Sequence, residues 1–158
     1  MPPEWIAAHG VEPKRLQAVA PEAMGIATGN GVCPFAAGIL ARARRSRPGD
    51  VLVLTTECDQ MRRLAEQAER ETGLPVYLLN LLATRTPSAR RIFAGELARL
   101  GTFLVRHGGS PPAEGELAGL MATYGAGREA LLSVAGRCRP RAFNGAVHRH
   151  PAALGPEL

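Results

Sequence analysis

Two cysteines, Cys33 and Cys58, lie 25 residues apart, and each stands where the chain turns into a helix. The run Thr28-Gly-Asn-Gly-Val-Cys33-Pro34 is a tight, glycine-bearing turn. Proline is favoured at the first helical position, where its missing N–H would be unpaired anyway, so Pro34 makes Cys33 the N-cap. Cys58 follows the apolar run Val51 to Thr56 and precedes a second amphipathic stretch, placing it where a strand becomes a helix. The positive end of a helix favours the thiolate, the form of cysteine that binds metal or attacks an electrophile. Two such sulfurs brought to one place could hold iron. The plainer alternative is that both are small buried hydrophobes in loop corners, since no C-x-x-C or other local ligand spacing accompanies them.

The neighbours of Cys58 carry further candidates. Glu57 stands at the strand end, where a carboxylate can act as a base. Asp59 can cap the helix it opens, and Thr55 and Thr56 can bond nearby N–H groups. Cys138, near the end of the last helix, has no evident partner. The four histidines, His9, His107, His148 and His150, fall at helix ends or in the tail and make no metal-ligand pattern.

The elements that must position these residues follow from hydrophobic periodicity. Pro2 to His9 reads as a short helix stopped by Gly10, and Arg15 to Ala20 as a short strand. Phe35, Ile39, Leu40 and Ala43 recur at helical spacing after Pro34. Val51 to Thr56 is a continuous β-branched and apolar run, as expected for a strand covered on both faces. Met61, Leu64, Ala65 and Ala68 give a helix ending at Gly73, and Val76 to Asn80 is a second buried strand. The order strand, helix, strand requires a crossover in a parallel sheet. Thr86 and Pro87 open a long helix striped by Phe93, Leu97, Leu100 and Leu104 and closed by Gly108-Gly109. A further helix carries Leu117, Leu120, Met121, Tyr124, Leu131 and Leu132. The expected fold is α/β: a small parallel Rossmann-like (flavodoxin-like) sheet with flanking helices, followed by a helical hairpin. Residues 1–85 form the parallel domain with the two cysteine loops, 86–138 the hairpin packed on it, and 139–158 a loose tail.

Composition bounds the function classes. The chain has 158 residues, 46% apolar and 21% charged, enough for one domain with a real core. Its formal charge of +5 rests on 19 basic residues, of which only Lys14 is not arginine. Guanidinium forks suit phosphates and carboxylates. The one local basic cluster, Arg42, Arg44, Arg45 and Arg47, is weak support for nucleic-acid binding, and an aromatic content of 4% argues against stacking platforms for single strands. No secretory signal opens the chain, and no apolar run is long enough to cross a bilayer, so the expected location is the cytoplasm, with no membrane partner. An odd cysteine count in that reducing compartment argues against a disulfide framework.

Four segments, Gly31-Val-Cys-Pro-Phe-Ala36, Thr55-Thr-Glu-Cys-Asp-Gln-Met-Arg-Arg63, Pro75-Val-Tyr-Leu-Leu-Asn-Leu81 and Glu96-Leu-Ala-Arg-Leu100, together resemble the D-component family of 2-hydroxyacyl-CoA dehydratases, which includes benzoyl-CoA reductase subunits. Tyr124 and Arg128 fall where that family has a Tyr and an Arg on a late helix. The likeness covers roughly Glu4 to Gly145, and Cys-Asp-x-Met-Arg-Arg is its most specific element. The resemblance implies an acyl-CoA thioester substrate, a 4Fe–4S cluster held by cysteines, and an ATP-dependent activator ATPase that injects one low-potential electron. Dehydration then runs through a ketyl radical anion, with the cofactor performing the difficult step and the protein positioning it. Cys33 and Cys58 match two of the family's cluster ligands, and Arg62 or Arg63 would face acidic groups of CoA or of a partner.

Two features depart from the family pattern. Members are longer and carry a second α/β domain that supplies a third cysteine ligand, which Cys138 does not match; Leu82 also replaces a proline after the second strand. The expectation is therefore a truncated dehydratase-type subunit, a lyase if active, whose site a homologous dehydratase subunit completes. The alternative is a non-catalytic, cluster-less remnant that binds a full-length homologue.

Overall fold

The structure, a computed structural model, describes residues 2–19, 32–135 and 137. Its elements are α1 (Pro3–Ala8), α2 (Pro34–Ala43), β1 (Leu52–Thr55), α3 (Asp59–Thr72), β2 (Val76–Leu79), α4 (Pro87–Arg106) and α5 (Glu116–Val134). The protein is thus α/β, with a two-stranded parallel sheet among the described residues, β1 beside β2 in the register Leu52 to Val76 through Thr55 to Leu79. No described helix is long and apolar enough to cross a membrane.

The chain forms two compact units. The first is Leu16–Phe103, and the second combines Pro2–Arg15 with the chain from Leu104 onward. In the first unit, α2, β1 and α3 close around one core. Leu40 and Leu64 are fully buried, and Ile39, Leu52, Leu54, Met61 and Ala68 pack with them. Burying a leucine side chain contributes about 1.5–3 kcal/mol, so this cluster is the main source of stability in the unit. It also fixes the path of the chain. The turn from α2 leads into β1, and β1 leads directly into α3. The two helices therefore run in the same direction, packed together with their N-termini at the carboxyl end of β1.

Helix α3 shows how the sequence sets its own limits. Its buried residues are Met61, Leu64, Ala65 and Ala68, the spacing of one helical face. Asp59 places a negative charge at the positive helix start. At the far end Gly73 adopts φ 66°, and its N–H donates to the Glu69 carbonyl at 3.2 Å, the left-handed cap that glycine tolerates without a Cβ penalty.

In the second unit α1 packs against α5. Glu4 pairs with Arg128, and His9 is buried, its Nδ1–H donating to the Trp5 carbonyl at 2.7 Å. Burial, and secondarily the charge of Glu4, raises the pKa of Tyr124 above the usual phenol value.

Several expectations change. Residues 15–19 form no strand; their one backbone bond to α2 is Val19 N–H to the Gly38 carbonyl at 3.4 Å, too little to build a ladder. A Cβ on Gly38 would collide with the Val19 carbonyl, so this glycine lets the segment lie close on α2. β2 is half-buried except at Leu79, because a two-stranded sheet leaves its faces only partly covered. Phe35, expected in the core, is 58% exposed, since α2 buries its alanine face instead. On α5 only Tyr124, Gly127 and Leu131 are buried, whereas Met121 and Leu132 face outward. The two consecutive helices of the expected hairpin are present, and the helix packed with α5 is α1. Ala20, the turn at 28–31, Cys138, His148, His150 and the tail from 139 lie outside the described residues.

At their C-terminal ends α2 and α3 are joined by Arg44, whose guanidinium donates to Glu71. This bond is the main cause holding the Glu71 carboxyl below the usual carboxylate range, against a smaller opposing effect of burial. A carboxyl depressed on folding stabilises the protein above its unfolded pKa, and that stability is lost as pH falls through the folded value. Because the pair is partly exposed, its worth is about 0.2–1 kcal/mol. Glu71→Gln is therefore expected to lower stability by that amount at pH 7, with the difference from the parent shrinking as pH falls through and below the usual carboxylate range, measured by urea denaturation across a pH series.

Candidate functional site

The same-direction packing of α2 and α3 determines where the cysteines fall. Each is the N-cap of its helix, Cys33 ahead of Pro34 and Cys58 ahead of Asp59, so both stand at the carboxyl end of β1. Open α/β folds bind ligands outside the carboxyl ends of their strands. Cys33 has an extended backbone at φ −69°, ψ 159°, and its Sγ accepts the Ala36 N–H at 3.5 Å. Cys58 is also extended, at φ −153°, ψ 163°, but its side chain makes no capping bond and is exposed. Both are free thiols.

A direct contact joins the two caps. The Cys33 N–H donates to Oε1 of Gln60 at 2.7 Å, and Gln60 lies two residues beyond Cys58 on the first turn of α3. The α2–α3 pair is thus tied at both ends, by Gln60 beside the cysteines and by Arg44 with Glu71 at the other.

Beneath Cys58 a polar network fixes the exits of both strands. The Thr56 hydroxyl donates to Asn80 Oδ1 at 3.0 Å and accepts the Leu81 N–H at 3.0 Å, while the Thr56 N–H donates to the Leu79 carbonyl at 3.0 Å. The Asn80 N–H donates to Glu96 Oε2 at 3.3 Å, and the Tyr77 hydroxyl donates to the Glu96 carbonyl at 3.2 Å. The Glu96 side chain is only 4% exposed and pairs with Arg99 on its outer side. A buried carboxylate is costly unless bonded, and here both oxygens have partners.

The remaining candidates are distributed differently. Glu57 and Asp59 are exposed at the mouth of the site, Asp59 as the first residue of α3 and not as its cap. Arg62 and Arg63 lie one turn along α3 on separate flanks. Arg63 lines a shallow depression with Val32, Glu66, Gln67 and Glu71, whereas Arg62 lines another with Glu66, Glu69, Val76 and Leu78. Each is accompanied by carboxylates, and Arg63 also by Arg70. Tyr124 and Arg128 belong to the second unit.

Sequence reasoning missed Gln60 and Glu96. Gln60 occupied the variable position of Cys-Asp-x-Met-Arg-Arg and carried no signal. Glu96 did carry one, as a charged residue on the face defined by Ala89, Leu100 and Leu104.

Among the described residues no group of three or more His, Cys, Asp or Glu side chains is gathered as a metal site. Cys33 and Cys58 supply two thiols, whereas an iron–sulfur cluster needs three or four such donors. The others would have to come from beyond the described residues.

The model of the 2-hydroxyglutaryl-CoA dehydratase D-component family matches residues 1–148, and the chain belongs to that family. No curated protein and no solved structure matches it.

Thr56→Val keeps the shape of the strand exit but removes both hydroxyl bonds, leaving the Leu81 N–H and Asn80 Oδ1 without that partner. A loss of about 1–3 kcal/mol in chemical denaturation is expected.

Proposed function

We propose that the chain is a 2-hydroxyacyl-CoA dehydratase-type subunit that contributes Cys33 and Cys58 as ligands to a 4Fe–4S cluster, with a homologous subunit completing the site. The observation that carries this reading is the pairing of two free cysteines as N-caps of adjacent, same-direction helices at the carboxyl end of β1. Family membership supports an acyl-CoA substrate and further dehydratase subunits. The β1–α3–β2 unit is compatible with the Rossmann-like arrangement in such proteins.

When bound, the cluster supplies low-potential one-electron chemistry at the acyl-CoA thioester, fed by an ATP-dependent activator. The residues of this chain hold and shape the site. The positive ends of the two helices favour anionic sulfur at Cys33 and Cys58. Ala36 N–H donates to Cys33 Sγ, and hydrogen bonds to cluster sulfurs are one of the levers by which a protein tunes potential. Glu57, exposed beside Cys58, is positioned to take or return a proton. Arg62 and Arg63 lie along α3 for contact with acidic groups of CoA or of a partner. Free cysteines are consistent with a cytoplasmic setting.

The test is anaerobic co-expression of the chain with a longer dehydratase subunit encoded beside it, followed by iron and sulfide analysis of the purified complex. Iron and sulfide are expected with the parent chain and are lost from Cys33→Ala and Cys58→Ala. A complex whose iron content is the same in all three would overturn the assignment, and an iron-free complex that still assembles would identify a cluster-less interaction subunit.

A further inference from the structure

We propose that Gln60 is a positioning residue, holding the Cys33 cap against the Cys58 cap so that their sulfurs act as one dithiol. The inference rests on the paired-thiol reading above and deepens it.

Three local bonds account for the groups of Cys33. Its carbonyl accepts the Ala37 N–H at 3.0 Å and its Sγ accepts the Ala36 N–H at 3.5 Å, both inside α2. Its N–H points away from the helix and donates to Gln60 Oε1 at 2.7 Å. Only the third bond leaves α2, and it reaches a residue on the turn that Cys58 opens.

Other α2–α3 contacts do not constrain the caps in this way. The apolar core of Leu40 and Leu64 determines that the helices pack, and Arg44 with Glu71 joins their far ends, but neither acts on the backbone of a cysteine. Apolar packing is non-directional, whereas a short bond to a cap N–H defines where that cap sits. Gln60 also brings no charge. A neutral amide can bond the Cys33 N–H without setting a fixed negative charge beside two thiolates, as an acidic side chain there would.

An aryl arsenoxide provides the probe, because one arsenic forms two As–S bonds with two nearby thiols and releases water. The full-length chain is used metal-free and reduced, with Cys138→Ser so that only Cys33 and Cys58 react. The parent is expected to capture one arsenical per chain. Gln60→Leu, which keeps bulk but accepts no hydrogen bond, is expected to weaken capture by about fivefold or more, while Gln60→Glu, which retains an oxygen acceptor, stays within about twofold of the parent once capture is scaled to the alkylation rates of its two thiols. In Gln60→Leu the alkylation rate of each cysteine by a monofunctional reagent should be unchanged, a result that general destabilisation would not produce. Circular dichroism checks folding, and Gln60→Ala replaces the leucine variant if that variant fails to fold. Equal capture by the parent and Gln60→Leu, or equal weakening in the leucine and glutamate variants, overturns the role of Gln60 alone. Absence of capture by the parent overturns the paired-thiol reading, and the role of Gln60 with it.

Discussion

The packing of α2 against α3 in the same direction is the constraint on which the site depends. Helices joined by a tight turn ordinarily run antiparallel; here β1 intervenes, so both helices start at the same end of the sheet. Their dipoles then point positive ends in one direction, a side-by-side arrangement that is electrostatically unfavourable on its own. It is stabilised by the buried cluster of Leu40, Leu64 and their neighbours, whose apolar burial far exceeds the dipole cost. The consequence is that two helix N-termini and two cysteines stand at the same end of the sheet.

Rigidity at that end comes from polar bonds in two layers. Gln60 connects the caps to each other, and Thr56, Asn80 and Glu96 connect the strand exits to α4. Buried polar groups are costly unless paired, and here the Asn80 N–H, the Thr56 hydroxyl and both Glu96 oxygens are all engaged. Glu96 thus trades hydrophobic burial on α4 for a fixed backbone two residues before Cys58. The exposed side of the site is left to Glu57, Cys58 and Asp59, which remain accessible to a substrate or a second chain.

Much of this arrangement was legible in the residues. Pro34 identified Cys33 as a cap, and the β-branched run before Cys58 placed the second cysteine at a strand exit. Regular periodicity and glycine punctuation located α3, β2 and α4 within a residue or two of their observed ends. What escaped was of a different physical kind. The Gln60 contact joins residues 27 apart in sequence, and no local pattern encodes it. Glu96 reads as a surface acid unless the polar groups above it are known. Phe35 and Leu132 failed because apolar periodicity identifies a face without saying whether anything covers it; both are exposed, at 58% and 72%. Arg15 to Ala20 had suitable strand composition, but 15–19 found no ladder partner.

The account turns on proximity of the two sulfurs, and spin labelling reads that directly. Nitroxides attached to Cys33 and Cys58 in a Cys138→Ser chain should give a frozen continuous-wave EPR spectrum broadened by dipolar coupling relative to the sum of the two singly labelled proteins. A doubly labelled spectrum that superimposes on that sum would place the labels too far apart for a shared ligand and contradict the account.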